Sequence, residues 1–218
     1  MIIAIPCHNE EKNIEATVRE IRKYTDIPII VYDNCSTDAT GKKAEELGCT
    51  VRYVSQKGKG QVFRRMWAEL SEETVFMTDG DNTYSLENMM KALDMVSSGY
   101  DMVVGVRRNY FEENTARFHN FGNRLVNSMI EKKYHTDMKD VMSGMRAFSP
   151  KFMSKFYPVR TGFELETEMT MFALENNMKV GFVDTHYTER EAGDPSKVNA
   201  ISDGAKIIST ILFHRGLK

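Results

Sequence analysis

A chain of 218 residues with 41% hydrophobic content is long enough to bury a full core, and that length favours one domain. Its 29 basic and 31 acidic residues leave a net charge of −2, which excludes an overall field drawing the chain to nucleic acid. Cys7, Cys35 and Cys49 match no zinc spacing, no stretch approaches the ~20 apolar residues that span a bilayer, and the N-terminus lacks a basic signal-peptide region. The expectation is a reduced, cytosolic protein.

Short apolar, β-branched runs recur at 2–5, 28–32, 50–54, 74–77, 101–106 and 179–184. Helical periodicity separates the first five, as with Ile14, Val18 and Ile21. This alternation predicts an α/β fold with a mostly parallel central sheet flanked by helices. Further helices are expected over 115–132, 163–176 and 200–214. Ligands of such sheets bind beyond the carboxyl ends of the strands. There the sequence carries "PCHNEE" after the first run, "DNCSTDAT" after the second, "DGDNTYS" after the fourth and "RRN" after the fifth.

Asp79 and Asp81 end the fourth run one residue apart, so their side chains point the same way and repel unless a cation joins them. Mg²⁺ suits such a pair, because it takes one or two carboxylates and completes its shell with substrate phosphates and water. A solvated Asp-Gly-Asp-Asn turn is the plain alternative. Asp33 at the tip of the second run is placed to accept from a base or ribose. A capped turn accounts for Ser36, Thr37 and Asp38 but not for Asp33 and Asn34. Gly58 and Gly60 around Lys59 suit a loop approaching phosphate, or simply a surface turn.

Taken in order, "IPCHNEE", "VYDNCSTDAT", "KGKG", "TDGDNTYS", "VMSGMRAFS", "TGFELETEM" and "HYTEREAGDPSKVN" resemble the family 2 glycosyltransferases. The likeness is closest to the dolichol- and polyprenyl-phosphate hexosyltransferase branch and runs over roughly residues 1–213. The resemblance implies a GT-A nucleotide-diphospho-sugar transferase fold, a nucleoside diphosphate sugar donor, a divalent metal (Mg²⁺ or Mn²⁺) and transfer with inversion to a polyprenyl phosphate. It implies base and ribose contacts from Pro6, Asn9, Glu10 and Asp33, with His8 and Lys59 also at the donor. Asp79 and Asp81 become the sugar, diphosphate and metal residues, with Asp81 at the chemistry. Asn82 and Thr83 stand where the family often has Leu-Gln, which leaves the third protein ligand open. Arg107, Arg117, Arg146, Arg190 and Lys197 are implied at the acceptor phosphate, Arg117 and Arg146 most directly. Arg124 reads as a surface charge.

Glu164, Glu166 and Glu168 offer a general base for a rival reaction, transfer to a glycan hydroxyl. A phosphate acceptor needs no base, so the preferred reading makes them structural partners of Arg146 or Arg190. A non-catalytic nucleotide-sugar binding subunit is a further reading. A sugar-nucleotide pyrophosphorylase lacks support, because "PCHNEE" replaces its Gly-rich first loop. Residues 1–199 are expected to form the catalytic domain and 200–218 a C-terminal amphipathic helix. Ile201, Ala205, Ile208 and Leu212, widened by Ile207 and Ile211 and flanked by Lys197, Lys206, Arg215 and Lys218, fit a core stripe or a helix lying in a membrane interface. The branch commonly continues into transmembrane helices, which favours the membrane. The expected partners are therefore donor, polyprenyl phosphate and the inner membrane surface, with a second copy of the chain or a membrane subunit as additional candidates.

Overall fold

The computed structural model describes residues 1–108, 117–188, 190 and 200–213, and for 117–121, 200 and 201 it describes the backbone only. The described strands are β1 (Ile2–Cys7), β2 (Ile29–Asp33), β3 (Thr50–Tyr53), β4 (Val75–Met77), β5 (Met102–Arg107), β6 (Arg146–Phe148) and β7 (Val180–Thr185). They form one sheet in the order β3-β2-β1-β4-β6-β5-β7. Pairing is parallel except that β6 runs antiparallel between β4 and β5. All six expected runs are strands. β6 is an addition, three residues lying inside "SGMRAF".

The described helices are α1 (Ile14–Arg22), α2 (Thr40–Glu46), α3 (Lys59–Glu69), α4 (Met89–Ser97), α5 (Arg117–Tyr134), α6 (Pro150–Lys155), α7 (Leu165–Glu175) and α8 (Ala200–Phe213). Alternation along β1 sends Ile3, Ile5 and Cys7 to a core shared with α1, α2 and α4, while Ala4 faces a second core with α3, α6 and α7. Both faces of the sheet are thus covered, and each fully buried Ile or Phe removed from water contributes roughly 1.5–3 kcal/mol. This is the α/β, mostly parallel architecture expected.

A third cluster joins α5 and α8 through Val126, Ile130, Ile207 and Ile211. Ile207 and Ile211 are 1% and 2% exposed, so they cannot enter lipid as the interfacial reading required of the whole stripe. Ala205, Lys206, Leu212 and Phe213 face outward instead. The inner face of α8 is built into the body, and only its outer face remains for a membrane. Lys197, Arg215 and Lys218 lie outside the described residues.

Candidate active site

The loops after β1 and β2 are laced together. Asn9, at φ 53°, accepts from Thr37 N at 2.8 Å through Oδ1 and donates its own N–H to Ser36 Oγ at 2.9 Å. Glu10 N donates to Thr40 Oγ1 at 2.8 Å, and His8 Nδ1 lies 2.7 Å from the Asn34 carbonyl oxygen. A carbonyl only accepts, so His8 Nδ1 carries the proton. Pro6 sits in β1 opposite Tyr32. Asp33 is buried, with Oδ1 accepting from Ser36 N at 3.0 Å and Oδ2 facing Gly41 and Tyr53. Its carboxylate therefore shapes the turn as well as the edge where a nucleoside was expected.

Asn34, left unassigned by sequence reasoning, anchors the next loop. Its Oδ1 accepts from Gly58 N at 2.7 Å and its Nδ2 donates to the Gln56 carbonyl at 2.7 Å. Gly58, at φ 129°, takes a backbone conformation that a side chain disfavours, and a Cβ on Gly60 would strike the backbone at 160–161. The two glycines thus let the chain turn and then press against the segment before α7. Between them Lys59 opens α3 and reaches Glu166 Oε1 at 2.5 Å, under the ring of Phe163 at 4.8 Å. Burial works against its charge, but Glu166 and then Asp79 outweigh it and hold the ammonium above its ordinary value.

Beyond β4 the chain is not a solvated turn. Gly80 is buried against Cys7 Sγ, where a Cβ would not fit, so Asp79 and Asp81 flank a residue facing the core. Burial first, then the charges of Asp81 and Glu166, push Asp79 up to about 6 despite Lys59 and Arg190 nearby. Asp81 Oδ1 accepts from Thr83 N at 3.2 Å and Thr83 Oγ1 at 2.6 Å, and Oδ2 accepts from Arg190 Nη2 at 2.7 Å. The same nitrogen donates to Glu10 Oε1 at 3.0 Å.

Among the described residues, no three His, Cys, Asp or Glu side chains converge as metal ligands. Asp79 and Asp81 would supply oxygen ligands only, at a place where burial first and neighbouring carboxylates second raise the pKa of Asp79. That donor set fits Mg²⁺ or Mn²⁺ completed by phosphate oxygens and water. Thr83 Oγ1 is committed to Asp81 and Asn82 is exposed, so the third protein ligand stays open.

Two expected acceptor arginines are buried and bound to the chain. Arg146 is 1% exposed, because its β6 position turns it to the α7 side of the sheet. Its guanidinium donates to the carbonyls of Ser143 and Val141, to Thr170 Oγ1 and toward Met102 Sδ. Burial pushes it down to about 10, although Glu166 and Asp140 favour its charge. Arg107 is also buried and forms a two-pronged pair with Asp140, Nε to Oδ2 at 2.8 Å and Nη2 to Oδ1 at 2.7 Å. Both bind the 140–146 segment through these contacts. Arg190 does reach the site. Arg117 opens α5, but its side chain is not among those described, and Arg124 is exposed.

The glutamates also differ from expectation in their partners. Glu168 accepts from Val159 N and Arg160 N, and Glu164 Oε1 accepts from Thr161 N and Gly162 N. Glu166 binds Lys59 rather than Arg146 or Arg190.

Comparison with known proteins gives a consistent picture. The model of the family described as "Glycosyl transferase family 2" matches residues 2–156. Glycosyltransferase AglJ of Haloferax volcanii is 32% identical over 98% of this chain and 71% of its own length. A dolichyl-phosphate hexose transferase of the same organism is 27% identical over 97% of this chain and 92% of its own. Glucosyl-3-phosphoglycerate synthase of Mycobacterium tuberculosis, solved with Mn²⁺, UDP and glucosyl-3-phosphoglycerate, superposes with a TM-score of 0.76 at 19% identity, over 97% of this chain and 78% of that one. The likeness is one of fold, and that fold is GT-A-like.

Proposed function

The chain belongs to glycosyl transferase family 2, and from that premise we propose that it moves a hexose from a nucleoside diphosphate sugar, with UDP the nucleotide we favour, to a polyprenyl phosphate at the inner face of the cell membrane. The observation that carries this reading is the meeting of Asp79, Asp81, Lys59 and Arg190 at the carboxyl edge of the sheet. Asp79 and Asp81, with Lys59 and Arg190 beside them and paired to Glu166 and Glu10, suit a metal-bound diphosphate. A divalent ion held by Asp79 and Asp81 supplies charge neutralisation for the departing diphosphate. Pro6, His8, Asn9, Glu10 and Asp33 frame the nucleoside, and Lys59 orients the phosphates.

At the acceptor, a phosphate monoester is already ionised at neutral pH. Its oxygen bonds the anomeric carbon as the bond to the diphosphate breaks on the opposite side, so configuration inverts and no proton is removed. The engagement of Glu164 and Glu168 with backbone N–H groups, and of Glu166 with Lys59, supports this choice over a glycan hydroxyl. Arg190, Arg117 and Lys197 are the candidate ligands of the acceptor phosphate. The name of the dolichyl-phosphate relative supports the acceptor, and the Mn²⁺ and UDP of the structural neighbour support the donor and metal. No helix among the described residues is long and apolar enough to cross a membrane, and the outer face of α8 is the surface we assign to the lipid acceptor's membrane.

The test is transfer of labelled hexose from UDP- and GDP-sugars, with Mn²⁺ or Mg²⁺, to a short polyprenyl phosphate by the parent and by Glu166→Gln. The variant is expected to keep transfer within about tenfold. Loss of about a hundredfold or more, the low end for removing a general base, would favour a hydroxyl acceptor. Donor binding with neither transfer to the polyprenyl phosphate nor hydrolysis of the donor would leave a binding subunit.

A further inference from the structure

Arg190 ties together segments that follow three different strands. Its Nη2 reaches Glu10, after β1, at 3.0 Å and Asp81, after β4, at 2.7 Å, and Arg190 itself follows β7. Only 16% of its side chain is exposed, against 5% for Glu10 and 9% for Asp81. Solvent therefore screens these contacts weakly, and charge-assisted hydrogen bonds of this length are the strong kind. The other oxygen of Asp81 is held by Thr83. Both oxygens of the carboxylate assigned to the metal thus already accept from the chain.

A free divalent ion arriving at Asp81 competes with the guanidinium for Oδ2 and, once that contact gives way, sits beside a displaced positive charge. An ion arriving on a diphosphate meets a different balance, because the phosphate oxygens give the displaced guanidinium a new anionic partner and offset the lost contact. Resting on the reading of Asp81 as a metal ligand, we infer that Arg190 is an internal counter-cation. It holds Asp81 and Glu10 against free metal and yields when metal and donor diphosphate enter together. Arg190 then turns to the phosphates gathered at the site. The contact also suppresses repulsion among Glu10, Asp79 and Asp81 before the donor binds.

The parent protein gives one test without mutation. Mn²⁺ alone should shift its melting temperature little, whereas Mn²⁺ with UDP should shift it by several degrees more than UDP alone, since only ligands that bind the folded state stabilise it. Manganese binding read from the free-ion electron paramagnetic resonance signal gives the second. Arg190→Gln should bind Mn²⁺ without nucleotide about tenfold more tightly than the parent, and Arg190→Lys, which keeps the charge, should stay within about threefold of the parent. The inference is overturned if Mn²⁺ alone stabilises the parent as much as Mn²⁺ with UDP, or if a folded Arg190→Gln binds Mn²⁺ alone no better than the parent while both bind it with UDP. A parent that takes up Mn²⁺ neither alone nor with UDP would instead sink the metal reading of Asp81, and the counter-cation with it.

Discussion

Gly144 lies flat against the Asp79 carboxylate, and a Cβ at that position would collide with Oδ2. Its own N–H donates to the buried Tyr84 hydroxyl at 2.9 Å, which fixes the backbone and prevents it from backing away. The lack of a side chain at Gly144 thus sets where the Asp79 carboxylate can stand.

Gly144→Ala should therefore displace Asp79 and weaken Mn²⁺-dependent UDP binding by about a hundredfold, the scale expected when a site group moves by an ångström. Calorimetric titration with UDP and Mn²⁺ checks it, with far-ultraviolet circular dichroism as the control for folding. Binding unchanged from the parent would remove Asp79 from the donor site.

Asn34 and Gly58 make a second framework contact. Asn34→Ala removes the acceptor for Gly58 N and the donor to Gln56, at a cost of about 1–3 kcal/mol. The amide of Gly58 should then exchange with solvent faster, and UDP affinity should fall because Lys59 is no longer held opposite Glu166. Unchanged protection at Gly58 would show that the loop is anchored by other means.

Arg146→Ala tests the buried position of that arginine. Removing the guanidinium strands two carbonyls, takes a donor from the Thr170 hydroxyl and leaves a cavity beneath α7, so stability should drop by about 3 kcal/mol or more. Under conditions where the variant remains folded, its UDP affinity should match the parent's. A variant of parental stability that has lost transfer would return Arg146 to the acceptor site.

The strands before the site were legible because short apolar, β-branched runs ended abruptly in carboxylates and amides, as at Asp33 and Asp79. β6 was not, since three residues including an arginine carry no periodicity. The direction of Arg107 and Arg146 was hidden for a related reason: it depends on Asp140 for Arg107 and on Thr170 for Arg146, partners 33 and 24 residues away that only the folded chain brings near. Asn34 left a visible trace, being unexplained by the turn chemistry of Ser36, Thr37 and Asp38, but its partners at 56 and 58 belong to the loop after the neighbouring strand. The stripe on α8 was legible as apolar, while its split between core and surface was set by packing on α5.

That split yields the last prediction. Leu212 and Phe213 are 62% and 74% exposed at the end of a helix whose inner residues, Ile207 and Ile211, are packed against Val126 and Ile130. Lys133 Nζ donates to the Ile211 carbonyl, which places a basic residue beside them. If this end meets the membrane, entry of the two side chains into the acyl boundary is worth roughly 1.5–3 kcal/mol each, so Leu212→Ser with Phe213→Ser should weaken binding to phosphatidylglycerol vesicles by about a hundredfold or more. Neither side chain belongs to the core, so the melting temperature and UDP affinity of the double variant should stay close to the parent's. Ile211→Ser should do the opposite, because a hydroxyl and a cavity replace a buried aliphatic group, at a cost of about 3 kcal/mol or more. Sedimentation with vesicles at low salt, alongside thermal melts of the three proteins, separates the two faces. A parent that does not sediment, or a double variant that sediments as well as the parent, would remove the membrane from this end of α8 and leave the helix a purely structural element.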